Sequence, residues 1–269
     1  MRLVHFSLMK FCRFISAAAD SSEPRFGILE GEAERIREIS TAPWNRWAET
    51  GKTMTTSEVR LLAPVQPRKI VCVGRNYAAH AAELGNEVPK DPLIFLKPST
   101  AIVGPEEAIV LPKYSQRVEH EGELGLVIGR RCSQLRDGDD SLSYLLGYIC
   151  VNDVTARDLQ KADVQFTRAK GFDTFCPVGP HIETDLRPAD LLVETLVNGQ
   201  LRQSGRTSLM VFSPAFLLGW LSRMMTLEPG DLIATGTPSG VGPLVANDTV
   251  EVRIGGIGVL RNPVHGPLA

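Results

Sequence analysis

The apolar positions of this chain fall in short continuous runs, not in helical stripes. "KIVCVG" (69–74), "ELGLVIG" (123–129) and "GYICVN" (147–152) each pack several apolar residues together and close on a Gly or Asn. That pattern predicts strands buried on both faces. "LIFLKPSTAIVG" (93–104) and "AIVLP" (108–112) read as further extended segments. Asn198-Gly199 sits at the centre of the alternating stretch "ETLVNGQLRQS", a two-residue hairpin signal. A second hairpin is predicted in "TVEVRIGGIGVLRNPV", turning at Gly255-Gly256.

Helical signals are few. "NYAAHAAELG" (76–85) is Ala-rich and ends on Gly85. "SPAFLLGWLSRMM" (213–225) offers Ser213 as N-cap and Pro214 in the first turn. "TARDLQKAD" is a place where a third helix begins. Long helices do not alternate with the strands, so a mixed α+β, mainly β fold is predicted. A rolled or barrel-like sheet is preferred to a doubly wound one.

Residues 1–64 differ in texture from 65–269, and the chain reads as a small N-terminal domain followed by a larger catalytic one. "RLVHFS" and "RFGILEGE" read as short strands with the polar stretch "SAAADSSEP" between them. "TAPWNRWAETG" and "KTMTTSEV" read as loop and helix, and the prolines of "RLLAPVQPRK" mark a linker. Lys10 and Arg13 interrupt the apolar part of the N-terminus, which argues for a strand and linker over a targeting segment.

Composition adds exclusions. The 269 residues carry a net charge of −2 with no basic stripe, which argues against nucleic acid as partner. No apolar stretch is long enough for a transmembrane helix. The five cysteines are scattered without a C-x-x-C pair, so neither a disulfide framework nor a zinc site is expected. Cys72 and Cys150 sit within apolar runs as core residues. A reducing, cytoplasmic setting fits.

The chemistry lies in "RVEHEGELGLVIGR" (117–130). On a strand, Glu119, Glu121 and Glu123 share one face, and like charges at the mouth of a buried strand repel. An exposed edge resolves the conflict with solvent; a divalent cation resolves it with coordination. "CVNDVTARD" places Asp153 and Asp158 just past the next apolar strand, where either supplies a third carboxylate. Lys170, in "FTRAKGFDTF", is a cation among aromatic residues. His80 and Glu83 are spaced i, i+3 on the predicted helix, either as a general-base dyad or as a surface pair. His120 points to the other strand face, away from the acids. His5, His181 and His265 have no such neighbour and read as structural or solvent-exposed. "ATGTPSGVG" (234–242) lacks a phosphate-loop or dinucleotide pattern; it holds a carboxylate or is a plain turn. Arg75 and Tyr77, after Gly74, reach an anionic ligand or simply start the helix.

Taken in order, "VGRNYAAHAAELG", "EHEGELGLVIG", "VNDVTARD", "FTRAKGFDTFCPVGP", "VNGQLRQ", "LEPGDLIATGTPSGVG" and "LRNPV" resemble the fumarylacetoacetate hydrolase family over roughly residues 65–265. The resemblance implies a β-roll-like catalytic domain, a homodimer and Mg²⁺ or Mn²⁺ as cofactor. Glu121, Glu123 and Asp153 match the metal ligands, while Glu119 is expected behind them or in solvent. His80 and Glu83 match a water-activating pair on a lid helix, and Lys170 matches the active-site lysine. Gln160, Thr237 and Arg157 match ligand contacts. The activity implied is metal-dependent hydrolysis of the C–C bond of acylpyruvates such as fumarylpyruvate or acetylpyruvate, releasing pyruvate. The same scaffold isomerises 2-hydroxyhepta-2,4-diene-1,7-dioate or decarboxylates oxaloacetate. A binding protein without turnover is the reading from another class, and the full set of acids, His80 and Lys170 argues against it.

Overall fold

The computed structural model describes residues 9–17, 23–31 and 35–267. The N-terminal strands are β1 (Lys10–Ser16), β2 (Arg25–Glu30), β3 (Arg35–Ile39), β4 (Glu49–Thr55) and β5 (Val59–Leu62). After the linker come β6 (Ile70–Gly74), helix α1 (Ala78–Glu83), β7 (Leu93–Lys97), β8 (Ile102–Val103) and β9 (Ile109–Val110). The central strands are β10 (Val118–His120), β11 (Gly122–Ile128), β12 (Leu145–Asn152) and β13 (Thr155–Ala156). Helices α2 (Arg157–Ala162) and α3 (Thr167–Lys170) lead to β14 (Cys176–Glu183). The remainder is β15 (Leu192–Val197), β16 (Gln200–Arg206), α4 (Pro214–Met224), β17 (Leu232–Ala234), β18 (Gly242–Pro243), β19 (Thr249–Ile254) and β20 (Gly258–His265).

One large sheet runs β4-β3-β2-β1-β14-β12-β11-β17-β6-β7, with β5 added to β1 and β8 to β14. A second sheet, β16-β15-β19-β20-β9, packs beside it, and β13-β10-β18 forms a third. The apolar runs divide by period two, as side chains on a strand must. Val71, Val73, Leu124, Leu126, Ile128, Tyr148 and Cys150 face one core with Leu217, Leu218 and Leu221 of α4. Ile70, Cys72, Val127, Ile149 and Val151 face the other, with Val178 and Ile182. Both faces are covered, so the runs need no polar alternation. Ser213 caps α4, accepting from the Phe216 N–H at 3.3 Å. All five cysteines are buried and free. No helix among the described residues is long and apolar enough to cross a membrane.

The N-terminal readings need correction. "RLVHFS" lies outside the described residues, as does His5, and the first described strand is Lys10–Ser16, in the stretch read as linker. Phe11, Cys12 and Phe14 are buried there, β1 is flanked by β2, β5 and β14, and Lys10 and Arg13 are half-buried. The segment read as loop and helix contains β4, exposed along nearly its whole length. An exposed edge strand carries no hydrophobic alternation to betray it.

Candidate active site

The acids enter through a kink in the chain. Between β10 and β11 the strand breaks at Glu121, whose N–H donates to Asn152 Oδ1 (2.9 Å) and whose carbonyl accepts from the Asp153 N–H (2.8 Å). The residue between the two acids has to be glycine: a Cβ on Gly122 would stand 2.0 Å from Thr195 Oγ1. The break and the end of β12 thus bring Glu121, Glu123 and Asp153 together. Their ligand oxygens lie within 4.8 Å of one another, and all three residues are buried.

Buried cations hold this charge in place. Lys170 Nζ donates to Glu121 Oε2 (2.8 Å) and Asp153 Oδ2 (2.7 Å). Lys97 Nζ donates to Asp153 Oδ1 (2.6 Å). Arg157 donates from Nε to Glu119 (2.7 Å), from a terminal nitrogen to Glu121 and from the other to Gln160 Oε1. Glu119 is therefore neither a solvent group nor a member of the triad. It is buried, and Arg117 reaches it from the surface (2.6 Å). Arg157 thus ties Glu119, Glu121 and Gln160 together and lines the cavity beside the acids. Asp158 is also apart: it accepts from Ser115 and from the Gln116 N–H, and fixes that loop.

The acids differ in electrostatic state. Burial works against ionisation of Glu121, but Lys170 and Arg157 override it and hold its carboxyl well below the usual range. Burial, then Asp153 and Glu121, push Glu123 well above the usual range. Among the described residues, Glu123 receives a single hydrogen bond, from the Gly236 N–H (2.7 Å), and no cation. Burial also opposes the charge on Lys170, yet Asp153 and Glu121 raise it above an ordinary lysine. Four buried carboxylates thus face three buried cations, and the unmatched one is Glu123. A hard divalent ion with oxygen ligands fits this donor set.

Opposite the acids stands α1. His80 Nδ1 pairs with Glu83 Oε2 at 3.2 Å, and Glu83 Oε1 accepts from the Gly240 N–H at 2.9 Å. Gly240 has φ +101°, and a Cβ there would lie 2.1 Å from the Arg202 carbonyl oxygen, so the loop closes on the helix only with glycine. His80, Glu121, Glu123, Asp153, Lys170, Gln160 and Thr237 all line one cavity of about 200 Å³. Leu84, Leu93, Phe95 and Phe166 add apolar wall, and Arg75 and Lys161 add charge. The aromatic setting of Lys170 is Phe95, whose ring centre lies 5.1 Å from Nζ. Tyr77 is not on this wall: it is buried, and its hydroxyl has no partner among the described residues.

His120 turns away from the acids and meets Gln203 Oε1 (3.1 Å), and Gln203 Nε2 donates to Thr237 Oγ1 (2.7 Å). His181 is buried and His265 exposed. Sequence reasoning missed Lys97 and Gln203. A lysine closing the apolar strand "LIFLK" was a usable signal for the first; Gln203, on an ordinary hairpin strand, carried none.

A family model described as "Fumarylacetoacetate (FAA) hydrolase C-terminal" matches residues 69–265. The chain belongs to the fumarylacetoacetate hydrolase family. A second model, "Rv2993c-like, N-terminal", matches residues 9–64. The chain is similar to Protein Rv2993c of Mycobacterium tuberculosis, 53% identical over 89% of this chain and 93% of the relative. It is also similar to the oxaloacetate tautomerase YisK of Bacillus subtilis, 43% identical over 88% of this chain and 84% of that one. Among solved structures, a 2-hydroxyhepta-2,4-diene-1,7-dioate isomerase from Mycobacterium marinum superposes with a TM-score of 0.87. It is 48% identical, over 96% of this chain and 98% of that chain. Family relatives thus include named enzymes, and the mainly β fold, N-terminal strands included, is shared with solved structures over 96% of this chain.

Proposed function

We propose that the protein is a divalent-metal-dependent enzyme that moves a proton next to the oxo group of a 2-oxo acid, as a tautomerase or isomerase. The observation that carries this reading is one cavity holding both His80, tied through Nδ1 to Glu83, and the buried ammonium of Lys170 among three carboxylates. The names of the Bacillus subtilis and Mycobacterium marinum relatives, a tautomerase and an isomerase, support it.

Glu121, Glu123 and Asp153 would hold a divalent cation, Mg²⁺ or Mn²⁺, which would supply positive charge to stabilise the enolate of a bound 2-oxo acid. Glu83 fixes the imidazole so that Nδ1 carries the hydrogen and Nε2 is left as the base. His80 Nε2 takes a proton from the carbon next to the oxo group, and the C–H electron pair becomes the new C=C bond. The carbonyl π pair moves onto oxygen, and the proton taken up by His80 Nε2 is passed through solvent to that oxygen, which gives the enol and leaves His80 neutral; the reverse path restores the ketone. Lys170 keeps its proton between Glu121 and Asp153 and adds positive charge near the developing oxyanion. Gln160 and Thr237 stand at the wall as polar contacts for the substrate.

C–C hydrolysis of an acylpyruvate is the second reading, favoured by the same His80–Glu83 pair, which is equally suited to take a proton from water. One experiment separates them. Purified protein is stripped of metal, given Mg²⁺ or Mn²⁺, and presented with enolic oxaloacetate, acetylpyruvate and fumarylpyruvate. The proposal expects metal-dependent loss of enol absorbance without pyruvate release. Pyruvate from the acylpyruvates at a higher kcat/KM than enol loss from oxaloacetate establishes the hydrolase instead.

A further inference from the structure

Gln203 is fully buried on β16, and its side-chain amide touches both halves of the site. Its Oε1 accepts from the N–H of Gly122, the residue between two of the acids, at 3.0 Å. Its Nε2 donates to the Pro238 carbonyl at 2.8 Å and to Thr237 Oγ1 at 2.7 Å. A backbone N–H only donates and a carbonyl only accepts, so Gly122 and Pro238 fix which end of the amide is which. The directions of the remaining bonds follow. His120 Nδ1 must donate to Gln203 Oε1. Thr237 Oγ1 receives a hydrogen from Gln203 and sends its own to the Gly122 carbonyl, 2.8 Å away. Every donor and acceptor site of the amide is thus filled, and Gly122 is gripped at both its N–H and its carbonyl.

The loop held by Gln203 reaches further. The Gly236 N–H donates to Glu123 (2.7 Å), and the Gly240 N–H donates to Glu83 (2.9 Å), which in turn fixes His80. Helix α1 has six residues, of which His80 and Ala81 are buried, and a helix that short is not stable by itself. On its N-terminal side Asn76 anchors the chain through bonds to Phe212 and Thr235. At its other end Glu83 ties it to the loop.

We propose that Gln203 is a positioning residue: it binds Gly122 and the 236–240 loop into one unit and so sets His80 and Glu83 at a fixed place against Glu121, Glu123 and Asp153. Gln203 does not line the cavity, so it acts through Thr237, Gly240 and Glu83. This rests on the reading above of His80 as the base and of the three acids as metal ligands.

Hydrogen exchange of the full chain, without metal or substrate, is the test. Gln203→Met stays close in volume and removes the bonds to Gly122, His120, Thr237 and Pro238. It is expected to speed exchange about tenfold or more in 121–124, in 234–242 and in 81–86, with β2 and β3 unchanged. The last of the three segments receives no hydrogen bond from Gln203 and moves only if the joint acts through the loop. Thr237→Val breaks one of the bonds of Gln203 and is expected to give smaller changes in the same segments. Thr237→Ser keeps the hydroxyl and is expected to match the wild type. If Gln203→Met does not fold, the Thr237 pair makes the same comparison. Unchanged exchange in 81–86, or equal acceleration in β2 and β3, overturns the proposal. With Mg²⁺ and enolic oxaloacetate, Gln203→Met is expected to lower kcat by about 10- to 100-fold with KM within about threefold, and an unchanged kcat overturns the proposal as well. A wild type without turnover defeats the tautomerase reading, while the exchange pattern still decides the role of Gln203.

Discussion

Lys97 Nζ lies 2.6 Å from Asp153 Oδ1, and neither side chain is more than 2% exposed. Lys170 holds the other oxygen of the same carboxylate, so Asp153 balances two buried ammonium groups. Glu123 balances none. The triad is therefore unequal, and its members have different consequences when neutralised.

Asp153→Asn leaves two lysines with reduced compensation and is expected to destabilise the metal-free protein by about 3–5 kcal/mol. Glu123→Gln removes a charge that burial already disfavours, while keeping an oxygen for the Gly236 N–H. Its metal-free stability is expected at or above the wild type, with Mg²⁺ affinity weakened by about tenfold or more. Denaturant unfolding without metal and calorimetric Mg²⁺ titration read the two effects separately. Equal metal-free stabilities for the two variants would remove the asymmetry.

His80 and Glu83 are expected to behave as one unit. Either His80→Ala or Glu83→Ala should lower kcat by about 10²- to 10⁴-fold with a smaller change in KM. The double variant should be little worse than the worse single one, because the second change removes a function already lost. Multiplicative losses in steady-state kinetics would mean that the two act independently.

Gly122→Ala drives a methyl group into Thr195 Oγ1. Expression and folding are expected to suffer, with a loss of about 2 kcal/mol or more. Adding Thr195→Ala removes the clashing oxygen, one that has no hydrogen-bond partner among the described residues. The double variant should recover most of the loss in thermal unfolding, a coupling that independent sites do not show.

His181 is buried, its Nε2 lacks a partner among the described residues, and burial, with a smaller push from Lys10, lowers its pKa to about 4. In the unfolded chain the imidazole titrates near ~6.5. The unfolded state then binds the proton first on acidification. The contribution is present above the unfolded value and is lost as the pH falls towards 4. It amounts to about 2–3 kcal/mol across that window. Glu183, raised by burial, slopes the other way, so the readout is the difference between wild type and His181→Leu in unfolding at pH 7 and pH 4.5. Parallel stability profiles would show that His181 is not buried in its uncharged form.

What was legible in the sequence followed from local spacing. Glu121 and Glu123 stand two apart at the mouth of an apolar run, His80 and Glu83 share a helix face, and Asp153 follows directly on another apolar run, while the break in the chain at Glu121 left no mark in the spacing. What was not legible depended on distant partners. Lys97 is read correctly only when Asp153 is known to be beside it, and Arg157 only when Glu119 is known to lie inside. Gly122 carries no signal of its own in the sequence, because Thr195, which fills the space its side chain would need, comes from another sheet. A strand was expected in the N-terminal stretch, but its place at Lys10–Ser16 is set by the strands that flank it, β2, β5 and β14.

The N-terminal strands pair with the rest at Lys10 opposite Glu183 and Phe11 opposite Ile182, and Phe11, Ile28 and Ile39 share one apolar core with Ile70, Val178 and Ile182. None of the described residues lining the catalytic cavity comes from before Val73. The appended strands are thus a selvedge: they finish a raw border of hydrogen-bonding backbone at β14 that would otherwise be open to another chain. A protein cut at residue 65 would keep every group of the cavity but bare both that border and the apolar core that Phe11, Ile28 and Ile39 cover.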